Sequence, residues 1–409
     1  YKNTGVIILM KILNDIVKNS CLKNTDIIYL LIIIFLGIFI RIFFVFKIDN
    51  HPISDFYVYQ EIATNIFSHK GHSYLGHPIA FQPSGYTLVL GYFYSLVGSN
   101  NILYGKILNV ILASMTLIVI LLILVKLLHN RFSIYLSCIV ITFIPNYIAY
   151  NNVLGSEILI TFLFSIIIYL QICTFNINIR YILIGIFVGV AALTKPFFLV
   201  YPVILVIIDW IRYKNIKNSL KLFFTSFIFL SLIIAPWAYR NYINFKLFIP
   251  VSYNGGYVLF INNNENQVLL NPKLESIFKT EAIKWILNHP QKFFYLGIIR
   301  IHNTFFNGAG DVYEWAIDNK SVSKISTFLN TNFLHKLLNK YIYILSFCGF
   351  IYVALNFKNI IISLFKNQYK INYKISIPFF NILFFILISF VFEGQPRYNF
   401  PVLFLFSIC

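Results

Sequence analysis

The run "ILYGKILNVILASMTLIVILLILVKL", residues 102–127, holds one lysine near each end and no charge between them. A stretch of that length crosses a bilayer as a helix. About 20 apolar residues match the hydrocarbon thickness, and a helix satisfies its own backbone polar groups there. Comparable runs recur, and we place spans at about 27–46, 102–127, 132–150, 158–175, 181–193, 196–211, 219–239, 341–357, 376–392 and from 399 onward. Segments 85–98 and 287–305 are apolar but short, and read as re-entrant, interfacial or spanning. The expected fold is therefore all-α, a polytopic integral membrane bundle. Composition agrees, because only 11% of the 409 residues are charged, against about 25% in a soluble domain.

The formal charge of +18 does not point to nucleic acid. Lysine and arginine sit in short clusters between apolar runs, as the positive-inside bias produces. With Lys2, Lys11, Lys18 and Lys23 placed inside, alternation puts Lys126 and Arg131 inside as well. Arg180 follows, then Arg212, Lys214, Lys217 and Lys221, then Lys358, Lys366, Lys370 and Lys374. The outside receives 47–101, 240–340 and the short turns 151–157, 194–195 and 393–398. Four parts follow: an inner N-terminal segment 1–26, a spanning core 27–265 including the outer loop 47–101, an outer helical elaboration 266–340, and C-terminal spans 341–409. The chain starts at Tyr1 and stops within an apolar run, so further sequence is expected at one or both ends. The first apolar run is too long for a cleaved signal and reads as a retained span. Cys21, Cys138, Cys173, Cys348 and Cys409 show neither a pairing nor a metal-binding spacing.

Functional polar groups gather on the outer side. "NHPISDFYVYQEIATNIF" spaces Phe56, Tyr59, Ala63, Ile66 and Phe67 as one face of an amphipathic juxtamembrane helix. Asp55 opens it, either as a helix cap or as a general base held over the membrane surface. Pro83 and Gly85 read as a turn. Glu157 begins a span, where it either complements the helix dipole or acts chemically. Lys195, Arg240 and Arg397 stand at three outer helix ends. One such cation snorkels to lipid headgroups without further meaning. Three against the positive-inside bias point to a converging site for a phosphate or diphosphate headgroup.

Together these elements resemble a known family. "QPSGY", "SE" at 156–157, "LTKP", "PWAYRN" with "PVSYNGG", and "PRYNFP" follow the acid-opened helix in that order. From about Arg41 to Pro401 the chain is similar to bacterial GT-C glycosyltransferases of the dolichyl-phosphate-mannose–protein mannosyltransferase type, whose relatives include the lipid A aminoarabinose transferases. It departs in having Ser84 after Pro83, Phe56 after Asp55, and Lys195 where arginine is common. The resemblance implies a GT-C-type bundle in a bacterial inner or plasma membrane, with its site on the non-cytoplasmic face. It also implies a polyprenyl-phosphate-linked sugar as donor, a protein, glycan or lipid hydroxyl as acceptor, and inversion at the anomeric carbon.

On that reading Asp55 is the base and Glu157 a second acid orienting sugar or acceptor. Lys195, Arg240 and Arg397 hold phosphate, while Tyr59, Tyr86, Asn241, Asn254 and Tyr398 contact substrate. "SYNGGYVLFINNN" is expected as a loop beside the cavity, its asparagines turned to sugar hydroxyls or simply forming a turn. No cofactor is expected. His51, His69, His72, His77 and Glu61 include no tight ligand pair, so a divalent metal is not expected either. Rival functions are a flippase or transporter, a polymerase or ligase of lipid-linked glycans, and a non-catalytic scaffold. A transporter would carry mid-membrane charges and paired broken helices in repeated halves, and the sequence shows few of the first and no repeat.

Overall fold

The computed structural model describes residues 22–263, 275–317, 331–365 and 371–408. Lys2, Lys11, Lys18, Cys21, Asn264, Lys366, Lys370 and Cys409 lie outside them. Among the described residues seven helices are long and apolar enough to cross a bilayer, or eight if one bent pair is a single span.

The first span, α1 (Asn24–Lys47), leads outward to α2 (Ser54–Phe67). A two-residue-stranded hairpin follows, β1 (Ser73–Tyr74) against β2 (His77–Pro78). Its turn takes Leu75 and Gly76 at φ of 50° and 79°, the left-handed geometry that tight hairpins favour. Next comes α3 (Ser84–Val97), the short apolar segment, which at 14 residues packs on α2. The outer loop is thus a folded layer with its own core of Phe56, Ile62, Ala63, Tyr86 and Leu90.

The chain continues with α4 (Ile102–Leu127), α5 (Arg131–Thr142), α6 (Pro145–Ala149), α7 (Glu157–Ile172), α8 (Ile177–Thr194), α9 (Tyr201–Tyr213) and α10 (Ile216–Phe245). Helix α7 is apolar but shorter than a span, and α9 reaches spanning length only with the 3-10 turn Pro196–Val200 before it. One expected span, 132–150, is broken: α5 and α6 meet at 50°. Pro145 lacks the N–H that would continue the ladder. Gly185 and Gly189 let α8 and α10 touch. A Cβ on Gly185 would lie 2.8 Å from the Ser226 carbonyl oxygen, and one on Gly189 equally close to Ile233. This is the small-xxx-small packing that membrane helices use.

After α10 come α11 (Asn254–Ile261), α12 (Glu275–Asn288), α13 (Pro290–Phe305) and a wide turn, Val312–Ala316. Two further spans, α14 (Asn332–Phe365) and α15 (Tyr373–Val391), precede a 3-10 segment Pro396–Val402 and a short α16 (Leu403–Phe406). The span expected from 399 onward is therefore this irregular buried segment among the described residues, because Pro396 and Pro401 prevent a regular helix.

Basic linkers meet at one end of the bundle. Arg131 pairs with Asp26 at 3.6 Å, Arg212 donates to the Gln171 carbonyl at 2.9 Å, and Lys374 meets His129. Arg180 donates to the Cys173 carbonyl at 2.8 Å. The opposite end collects Asp55, Glu157, Lys195 and Arg397.

Candidate active site

Asp55 stands in the first turn of α2, directly after Ser54, whose φ of 52° is left-handed. A non-glycine residue there stores strain, which gathers at functional sites. The Asp55 carboxylate does not cap its helix. It accepts a hydrogen bond from Arg397 Nη2 at 3.0 Å, across 342 residues of sequence. Arg397 also donates through Nε to Gln395 Oε1 at 2.6 Å, and its guanidinium lies 5.8 Å from the ring centres of Phe56 and Tyr398.

A second pair stands beside the first. Lys195 ends α8 in extended conformation and donates to Glu157 Oε1 at 3.0 Å. Its ammonium is 5.1 Å from the Tyr398 ring centre. Glu157 is 1% exposed, and its Oε2 has no hydrogen-bond partner. Burying such a group is costly, and the Lys195 ammonium on Oε1 offsets part of that cost.

The Asp55–Arg397 pair lines a cavity of about 370 Å³ with Asp311, Glu314, Trp315 and Gln395, within the size range of small-ligand sites. Phe56 bridges its walls, meeting Trp315 edge-on at 5.4 Å. Behind Phe56 stands Tyr59, and behind that Tyr86, whose hydroxyl donates to Asn109 Oδ1 at 3.2 Å.

Burial opposes the charge on Arg397, yet neighbouring Tyr398, Glu157 and Asp55 raise its pKa well above the ordinary value. It remains a cation at any working pH. Burial pushes Asp311 up to about 6, against the pull of the Tyr150 hydroxyl and Arg397. Burial first, then Glu157 and Asp55, raise Tyr59, which is a neutral phenol.

Sequence reasoning overlooked Asp311, Glu314, Trp315, Glu393 and Gln395. The signal was "GAGDVYEWA", two acids three residues apart in a chain with only 14 acidic residues. Glu393 accepts from the Tyr398 hydroxyl at 2.7 Å and from Gln395.

Arg240 is not brought to this cavity. Its Nη1 donates to the Ile79 carbonyl and to Asn241 Oδ1, each at 2.9 Å, and its Nη2 to the His72 carbonyl. The guanidinium stacks on Trp237 at 4.8 Å. Arg240 therefore ties the hairpin to the end of α10. Asn241 is fully buried and donates to the Ile249 carbonyl at 2.9 Å. Asn254 accepts from Ser252 at 2.8 Å. The expected loop here is instead helix α11, and neither Gly255 nor Gly256 takes a positive φ. Asn263 is also occupied, donating to the Leu259 carbonyl and accepting from Arg300 at 2.8 Å.

Arg240→Ala should consequently act on stability. Hydrogen bonds from a charged group are worth about 1.5–3 kcal/mol each when partners are left unmet. The thermal midpoint is expected to fall by several degrees, and residues 72–79 to become sensitive to protease in otherwise native membranes. An unchanged midpoint with normal protease resistance would show that the tie is dispensable.

Among the described residues no three His, Cys, Asp or Glu side chains are grouped to hold a metal ion. The cavity's Arg397 already faces Asp55, and beside it Lys195 faces Glu157. His72 binds the Ile79 carbonyl through Nδ1 at 3.1 Å and Thr87 through Nε2 at 2.9 Å. Burial, with Arg240 adding to it, holds His72 down at about 3.

No family description matches this sequence, and no curated protein does. Solved structures do. The fold is similar to that of the archaeal oligosaccharyltransferase AglB from Archaeoglobus fulgidus in complex with an inhibitory peptide and a dolichol-phosphate. The TM-score is 0.54 at 12% identity, covering 93% of this chain and 50% of that one. The Archaeoglobus fulgidus oligosaccharyltransferase tethered to an acceptor peptide containing the NVT sequon gives 0.51 at 11%, covering 93% of this chain and 49% of that one. ArnT from Cupriavidus metallidurans bound to undecaprenyl phosphate gives 0.45 at 10%, covering 92% and 77%. The chain spans about half the length of AglB. The fold is of the GT-C type, and the chain is an integral multi-pass membrane protein.

Proposed function

We propose that the chain is a membrane glycosyltransferase, moving a sugar from a polyprenyl-phosphate donor to an acceptor hydroxyl on the non-cytoplasmic face. The observation that carries this reading is the Asp55–Arg397 pair, at 3.0 Å, lining a cavity beside the Glu157–Lys195 pair. AglB, whose fold is similar, is solved in complex with a dolichol-phosphate, and that supports a polyprenyl carrier here.

The geometry suits a single displacement. The donor phosphate takes the donors of Arg397 and reaches toward Lys195, which loosens Arg397 from Asp55. Asp55 then accepts the proton of the acceptor hydroxyl as its oxygen attacks the anomeric carbon. The carbon–oxygen bond to phosphate breaks, and the lipid phosphate leaves with its electron pair. The charge growing on it is met by fixed cations, with Arg397 itself largely buried. Glu157 Oε2 orients the sugar or the acceptor, and Tyr59, neutral and adjacent, lends shape. One displacement inverts the anomeric centre. Arg240, Asn241 and Asn254 have no part in these steps.

The deciding experiment reconstitutes the chain in bilayer nanodiscs with radiolabelled polyprenyl-phosphate sugars and measures free lipid phosphate. Release that requires Asp55 supports transfer. Movement of intact donor between leaflets without release would establish the flippase reading and end this one.

Asp311 adds a pH dependence. Ionised, it shares the cavity with Arg397, so transfer should rise with pH through about 6, and Asp311→Asn should flatten that rise. Its pKa in the fold stands above the ordinary 3.8. Its contribution to stability is thus complete below 3.8 and is lost as pH climbs to about 6. At pH 7 Asp311→Asn should therefore melt higher than the parent while transferring more slowly. A lower midpoint with an unaltered profile would contradict both halves.

A further inference from the structure

The helix broken after Thr142 resumes as α6 and the turn Tyr150–Asn152, and this outer half reaches both walls of the cavity. Toward the wall carrying Arg397, the Tyr147 hydroxyl donates to the Phe400 carbonyl at 2.7 Å and accepts from the Phe404 N–H at 3.3 Å. The rings of Tyr147 and Tyr150 lie 5.0 and 4.7 Å from that of Phe400. Toward the wall carrying Asp311, the Tyr150 hydroxyl donates to Asp311 Oδ2 at 3.0 Å. Asn152 donates to the Ala316 carbonyl at 3.1 Å. Asn50 donates to the carbonyls of Asn152 and Trp315, both at 2.9 Å, and its own carbonyl receives Lys106 at 2.8 Å.

The base of the half-helix is also held. Arg41, 1% exposed, donates through Nη1 to the Thr142 carbonyl at 3.1 Å and to the Gly37 carbonyl at 2.9 Å. It thereby satisfies a carbonyl that the break leaves without an intrahelical partner. A buried cation in a bilayer-spanning segment is costly, and this one stands at the joint between the fixed half of the helix and the half that grips the site.

We infer that the outer half of the broken helix is a jig setting the separation of Arg397 and Asp311, with Tyr147 and Tyr150 as positioning residues. The inference rests on the transferase reading for its catalytic consequence, but not for its geometry. Tyr147 fixes one wall, Tyr150 and Asn152 fix the other, and the short element between them leaves no slack.

The test uses the full chain in nanodiscs and two independent readouts. Asp311 is faced by Tyr150, Arg397, Glu157 and Glu314, and only the first is changed. Carbodiimide labels protonated carboxyls, so labelling of the Asp311 peptide against pH, read by mass spectrometry, reports its titration without any turnover. In Tyr150→Phe that midpoint should rise by about one pH unit, because the lost hydrogen bond favoured the ionised form. Placing 3-fluorotyrosine at position 150, a stronger donor of the same shape, should move it down.

The second readout is turnover. Tyr150→Phe should lower kcat about tenfold in the parent, and less than about twofold in an Asp311→Asn background. Equal losses in both backgrounds, or an unmoved labelling midpoint in both Tyr150 variants, would overturn the jig. Absence of transfer in the parent would count against the transferase reading alone, and the labelling would still decide this one.

Discussion

Arg397→Gln is expected to remove transfer almost entirely, lowering kcat/KM by about 10³-fold or more. Losing one donor aimed at developing charge typically costs about 10²–10³, and here three further effects add to it. Arg397 pairs with Asp55 at 3.0 Å, interacts with Glu157 and Asp311, and holds Gln395. Without it the cavity keeps Asp55, Asp311 and Glu314 with no cation among its lining residues, and an anionic donor would meet like charge. Arg397→Lys restores the charge but not the fork that reaches Asp55 and Gln395 together, so partial rescue, about tenfold to a hundredfold below the parent, is expected. Initial rates of lipid phosphate release across a donor titration measure both variants. A rate for Arg397→Gln within threefold of the parent would remove the arginine from the mechanism.

Asp55→Asn should cost about 10²–10⁴-fold in kcat, the usual share of a positioned base. Its distinguishing feature is the direction of KM. In the parent, the Asp55 carboxylate holds Arg397 and, on the proposed mechanism, would compete with donor phosphate for it. Asparagine is neutral and holds Arg397 less strongly, so the donor should bind as well as before or better while chemistry stalls. A collapse of kcat with unchanged or lower donor KM supports the exchange of partners described above. A higher KM with preserved kcat would make Asp55 a binding residue and reassign the base, with Asp311 the next candidate by position and pKa.

Much of the bundle was readable because a membrane leaves few alternatives. Apolar runs must span, and basic linkers choose a side. Arg131, Arg180, Arg212 and Lys374 accordingly meet at one end. The sequence singled out Asp55, Glu157, Lys195 and Arg397 because charge is scarce at outer turns, but it did not tell which acid pairs with which cation.

Arg240 misled because a cation at the end of a span looks the same whether it faces substrate or a carbonyl. Only the folded hairpin, with the carbonyls of His72 and Ile79 turned toward it, distinguishes the two. The bend at Pro145 was visible as a proline but lay inside an apolar run whose hydropathy did not falter. Asp311 and Trp315 were hidden for the opposite reason. They lie in a less apolar stretch, where polar residues need no special justification.

Asp55, Asp311 and Glu314 line the cavity and Glu157 stands beside it, with Arg397 and Lys195 as the nearby cations. On the proposed function, a sugar-bearing phosphodiester would enter with a single negative charge, which the two cations would accommodate. Once the sugar has gone, the stripped carrier bears close to two, as a phosphate monoester does near neutral pH. The same carboxylates that tolerate the loaded carrier then repel the empty one. Turnover on the proposed function would then acquire a direction from electrostatics, and a high-salt medium, by screening that repulsion, should let the discharged lipid linger.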